Sequence, residues 1–172
     1  MKRNADRRVL SGLSEWGPLP LRAMLGFAFL YHGSPKLFTD TGHAQFVETL
    51  AGSGVPWPQA TAWGVGLLEV LGGAALILGA LTWFAAVLLI SEMVVAMLLV
   101  HLPHGFSFLN IVEMTPEGPR FGMPGYEVNL LYIAGLLSLL LTGPGALSVD
   151  GYWISRGAGR RAPATPAEGP RR

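Results

Sequence analysis

The chain has 172 residues, of which 51% are hydrophobic and only 13% charged, and its mean hydropathy is +0.43; that balance excludes an ordinary soluble domain and fits one compact membrane domain. The formal net charge of +1 hides an asymmetry, because nine of the twelve Lys and Arg residues lie in the tails, Lys2, Arg3, Arg7 and Arg8 at one end and Arg156, Arg160, Arg161, Arg171 and Arg172 at the other. Cysteine is absent, which excludes disulfides, thiolate nucleophiles and Cys-ligated iron–sulfur or zinc sites. Nucleic-acid binding is not needed to explain the basic tails, and any redox chemistry must use a bound cofactor or a partner.

Residues 1–18 are polar and basic and read as a cytoplasmic N-terminal tail. A cleaved signal peptide is not expected, because the apolar segment that follows is long, contains His32 and Lys36 and is not closely followed by a small-x-small site. The first span is expected over 19–38, about the 20 residues that cross a bilayer. An ionisable side chain near the bilayer centre costs on the order of 3 kcal/mol on insertion scales, so His32 and Lys36 are expected to face the protein interior, find partners and mark a site. Pro35 removes a helical hydrogen bond to the Tyr31 carbonyl and Gly33 loosens the same turn, so the helix is expected to kink or end there.

Residues 39–59 contain no Lys or Arg. Phe46, Val47 and Leu50 suit a short amphipathic turn along the surface, broken by Gly52, Gly54, Pro56 and Pro58. Trp57 and Trp63 fit the aromatic belt of a membrane interface, so a second span is expected over 60–81. Thr82 and Trp83 leave only a tight turn before a third span at 83–102, which forces an antiparallel hairpin. A loop rich in Pro and Gly is expected over 103–125, then a fourth span at 126–142 and a stop at Gly143-Pro144-Gly145. The Ala, Gly, Pro and Arg composition of 151–172 reads as a disordered, basic C-terminal tail.

These elements make an all-α membrane protein, a four-transmembrane-helix antiparallel bundle whose basic tails put both termini in the cytoplasm under the positive-inside rule. In that orientation His32 and Lys36 of span one, His101 and His104 of span three and Glu127 of span four share the outer half of the bundle, with Glu69 a few turns below the outer edge of span two. Helical phase places Arg22, Leu25, Phe29, His32 and Lys36 on one stripe, and Ala62, Gly66, Glu69, Gly73 and Leu76 on another that faces inward. Glu127, Ala134 and Ser138 are expected to share a small, polar face. Glu92, nine residues from His101, is a half turn out of phase at about 100° per residue and is expected on a different face, where an oligomer contact explains it as well as chemistry does.

Each polar residue also has a plain structural reading. Lys36 can snorkel to the outer interface, Glu69 can hydrogen-bond between helices, and Glu127 can stabilise its own helix N-terminus. His101-x-x-His104 has ligand-like spacing, but Pro103 stands between the two at a helix end, and no metal site is expected.

The phrases Tyr31-His32-Gly33-x-x-Lys36-Leu37-Phe38, Gly66-Leu67-Leu68-Glu69-Val70-Leu71-Gly72-Gly73, His101-x-x-His104-Gly105-Phe106 and Gly125-Tyr126-Glu127 resemble the DoxX family of small bacterial membrane proteins. The likeness runs in order over 19–150. It implies a four-helix membrane bundle in the bacterial inner membrane and association with oxidoreductase systems, including a subunit of a thiosulfate:quinone oxidoreductase and partners in oxidative-stress complexes. His32, Lys36, Glu69, His101 and Glu127 fall on the family's polar motif positions. Trp83 is a departure, since relatives often carry Arg after Leu-Thr in that turn.

Three functional readings follow. The leading one is an integral membrane subunit of a quinone-linked or oxidative-stress redox system, with His32, Lys36 and Glu69 doing the chemistry, His101 and Glu127 helping to bind the cofactor, and a soluble or membrane redox protein donating electrons. The second is a non-enzymatic scaffold, alone or as a homo-oligomer, that binds a partner. The third is a proton-coupled transporter of a small solute, for which the inverted repeats of many such proteins are lacking.

Overall fold

The structure, a computed structural model, describes residues 14–159. Four long helices pack together: α1 (Pro18–Phe38), α3 (Pro58–Leu78), α4 (Thr82–Ala96) and α5 (Glu127–Thr142), with a shorter α2 (Asp40–Gly52) and a terminal α6 (Val149–Gly159). The α3 segment and the continuous helical stretch Thr82–His104 are each long and apolar enough to cross a membrane, while α5 is apolar but 16 residues long. Outward faces carry Phe27, Tyr31, Leu67, Leu71, Leu131 and Leu141, all exposed. Such a surface suits lipid and not water.

Prolines at the first turn start α1 and α3, where the missing N–H has no partner to lose. Pro35 neither breaks nor ends α1, which runs three residues further; Thr39 then turns extended and its hydroxyl accepts the Gly42 N–H at 3.1 Å to cap α2. The surface turn expected around Phe46 is therefore a 13-residue helix that buries Leu50.

Glycines set how closely α1 and α3 cross. A Cβ added at Gly73 would lie 2.7 Å from the Gly26 carbonyl oxygen, and one at Gly33 2.7 Å from the Glu69 Cβ. Only glycine allows this approach, which brings the two polar stripes face to face.

The apolar core of Leu25, Phe29, Leu76, Ala85, Ala86, Leu89, Leu136 and Leu139 sits at one end of the bundle, beside the α3–α4 turn. Gly79 and Leu81 make that turn with left-handed backbone, so α4 begins at Thr82. Fully buried Arg22 fastens this end. Its Nε donates to the Leu76 carbonyl at 3.0 Å and its Nη groups to the carbonyls of Ile77, Pro144, Ala146 and Leu147. Those acceptors are carbonyls of the α3 C-terminus and of the 143–147 turn, which a guanidinium fork is shaped to serve.

The sequence reading is corrected at three places. Residues 151–159, expected to be disordered, continue α6, because Asp150 anchors it: its carboxylate accepts the Leu81 N–H at 2.9 Å and the Thr82 N–H at 2.8 Å, and its own N–H donates to the Gly79 carbonyl. Residues 1–13 and 160–172 of the two expected tails lie outside the described residues. The expected loop at 103–125 contains an antiparallel hairpin, β1 (Ile111–Thr115) with β2 (Gly118–Phe121). Thr115-Pro116-Glu117-Gly118 closes it with proline and glycine at the positions a tight turn prefers, and Glu113 faces Arg120 across the strands at 2.7 Å. Finally, the small, polar face expected of Glu127, Ala134 and Ser138 is not the buried one: α5 buries Asn129, Leu136 and Leu139, and Ala134 is exposed.

Candidate functional site

At the end of the bundle away from the apolar core the helices part around a cavity of about 660 Å³. The close crossing of α1 and α3 brings Lys36 to Glu69, whose carboxylate receives the ammonium at 2.6 Å. Glu69 is 2% exposed. On its other side the Lys36 ammonium lies 4.1 Å from the centroid of the Phe46 ring, supplied by α2, so the cation is held between a carboxylate and an aromatic face. His43, also on α2, bonds the Lys36 carbonyl through Nδ1 at 2.8 Å and stacks on Trp63. This fixes the backbone beneath the lysine.

Glu92 of α4 adjoins the same pair, and its Oε2 is buried with no hydrogen-bond partner among the described residues. His32, Lys36, Glu69, Glu92 and His101 all line the cavity, as do Asn129 and Tyr132 of α5. His101 is oriented by a contact of its Nδ1 with the Pro124 carbonyl at 2.9 Å. Apolar side chains from α2, α3 and α4, among them Leu50, Val65 and Leu99, form most of the remaining wall.

The expected separation of Glu92 from His101 does not hold, for a geometric reason. Residues Met97–His101 form a wider π turn that advances less per residue than an α-helix, so nine residues no longer amount to a half turn. Pro103, which lacks the N–H that would bond to the Leu99 carbonyl, lies just beyond it.

Four of the five residues expected at the site, His32, Lys36, Glu69 and His101, line one cavity, where Lys36 and Glu69 bond each other; His32, expected to face inward, is exposed. The fifth, Glu127, does not line the cavity. Its carboxylate accepts the Phe108 N–H at 2.9 Å, holding the loop that enters α5. His104 is exposed and also lies outside the cavity wall. Glu92, Asn129, Tyr132 and Phe46 were not anticipated as neighbours of the pair. The three-residue spacing of Asn129 and Tyr132 was a usable signal for a common face.

An aromatic and aliphatic enclosure with a cationic donor, carboxyl groups and imidazoles at one end can hold a flat, weakly polar head group and exchange protons with it. A quinone has that chemistry, and the residues present fit it.

Comparison with known proteins adds one match. The family model for DoxX covers residues 17–102, half of the chain, taking in α1, α2, α3 and the α4 stretch with His32, Lys36, Glu69, Glu92 and His101. It stops short of α5, which the resemblance in sequence had included. No curated protein and no solved structure matches the chain. The family is one of membrane proteins, often linked to redox or oxidative-stress roles. With glycine-packed apolar helices and the matched motifs of its first three long helices, this chain belongs to the DoxX family.

Proposed function

We propose that the protein is an integral, multi-pass subunit of a quinone-linked redox system in the bacterial inner membrane, with α1, α3, α4 and α5 as four spans and both termini cytoplasmic. The observation that carries this reading is the Lys36–Glu69 pair at 2.6 Å, set at the polar end of a largely apolar cavity. Proton delivery to a quinone carbonyl oxygen falls to Glu69 or His32, while Lys36 steadies negative charge on the head group. Glu92 supplies a second carboxyl beside the first. Electrons come from a partner of flavoprotein or dehydrogenase type, since the chain carries no flavin, haem or iron–sulfur signature. The basic tails support the orientation through the positive-inside rule.

Binding to the purified full chain in lipid nanodiscs tests this reading. A benzoquinone without a tail is expected to bind saturably, and Lys36→Met to weaken it by about tenfold or more, a loss of about 1.4 kcal/mol. Equal, non-saturable uptake by both proteins would overturn it. A scaffold reading is favoured by one observation, that the same ion pair ties α1 to α3; it predicts that Lys36→Met lowers stability and leaves no binding to lose.

A further inference from the structure

The packing of α3 against α4 along the cavity bears on what the cavity can take. Along α4 the buried positions are Thr82, Ala85, Ala86 and Leu89, and from Ile90 to Leu102 no residue is fully buried. On α3 burial continues to Ala62, but those residues face α1: a Cβ on Gly66 would meet the Leu37 side chain. Packing between α3 and α4 is close at the level of Gly72 and Leu89, where an added Cβ would fall 3.0 Å from the leucine side chain. One turn further along, Glu69 and Glu92 adjoin, and beyond them both helices present exposed residues to the cavity. Gly64 on α3 and Leu88, Val95 and Leu99 on α4 line the cavity and are themselves exposed.

We propose that this gap between α3 and α4 is a lateral portal to the bilayer, and that the cavity takes an amphipathic, lipid-soluble molecule with a single apolar tail. Its polar head enters first and rests by Lys36 and Glu69, and its tail stays between Gly64 and Val95. The zoning of the walls supports this occupant. Lys36, Glu69 and Glu92 gather at one level, whereas the gap is bordered by Gly64, Leu88, Val95 and Leu99, with Ser91 among them turning its hydroxyl to the Val87 carbonyl and His101 lying beyond. A small water-soluble solute would leave that apolar surface uncovered, while a tail buries it at about 25 cal/mol per Å². The identity of the head as a quinone rests on the function proposed above; the portal and the tail rest on the packing.

Gly64 offers a clean test, because nothing lies within 4 Å of a Cβ built there, so Gly64→Trp can fill the gap without displacing the fold. Wild-type and Gly64→Trp chains in nanodiscs are titrated with a benzoquinone lacking a tail and with one carrying a long isoprenoid tail. Gly64→Trp is expected to weaken the tailed molecule by about tenfold or more and to leave the tail-less one within about twofold, with unchanged thermal stability. Equal loss for both molecules, or no loss for either, overturns the portal. Absence of binding of both molecules to the wild-type chain overturns the quinone head group instead; titration with a spin-labelled long-chain alcohol then decides the portal alone, which requires weaker uptake by Gly64→Trp and fails if uptake is equal.

Discussion

Replacing Arg22 by Ala is expected to cost about 3 kcal/mol or more of stability. The guanidinium is completely buried and donates to five carbonyl oxygens, two at the end of α3 and three in the turn that leads to α6. Each buried acceptor left without a donor costs about 1–3 kcal/mol, and among the described residues no other side chain donates to these five, while the Leu76 carbonyl keeps the Gly79 N–H. Gly79, where an added Cβ would lie 2.8 Å from the Arg22 guanidinium carbon, leaves no room for another side chain to take over. Arg22→Lys is expected to recover only part of the loss, since an ammonium brings three donors on a different geometry in place of a planar fork. Thermal unfolding of the purified chain in one fixed detergent checks this. A change below about 1 kcal/mol in Arg22→Ala would show that the carbonyls find other donors.

The second large effect is on activity. Glu69→Gln keeps the shape of the side chain and an oxygen that accepts from the Lys36 ammonium, so although it too removes the negative charge, a smaller loss of stability than in Glu69→Ala is expected and turnover is compared per assembled complex. It removes the proton that Glu69 can exchange. Quinone-dependent turnover of the native complex is then expected to fall by roughly 100-fold or more, the usual range for loss of a general acid or base. Glu69→Ala is a different experiment. It leaves the Lys36 ammonium, with its side chain only 17% exposed, short of its closest counter-ion, and breaking a buried pair costs about 3–5 kcal/mol. Normal turnover in Glu69→Gln would remove Glu69 from the chemistry. Loss of assembly with full activity after reassembly would favour the scaffold.

Much of the architecture was legible because membrane helices are written in long apolar runs and their packing in small residues. Ala62, Gly66, Glu69, Gly73 and Leu76 were placed on one inward stripe, and all five are buried. The pairing of Lys36 with Glu69 follows from two stripes meeting across glycines, although the sequence alone showed only that both faced inward. Three features were not legible. The π turn at Met97–His101 depends on backbone hydrogen bonds that no residue pattern specifies, and it brings His101 round toward the face that Glu92 already presents to the cavity. The inward face of α5 could not be read from its small and polar residues, because in a mostly apolar helix the partners choose the face, and Leu136 and Leu139 fill the core. The order in α6 depends on one long-range contact, Asp150 to the first turn of α4, which composition cannot reveal.

The most direct test of the central claim is the composition of the native complex, extracted gently from its own membranes and weighed intact, with every bound protein and small molecule identified. The account predicts a stoichiometric quinone together with a flavoprotein or dehydrogenase partner. A homogeneous oligomer of this chain alone, carrying only phospholipid, would contradict it.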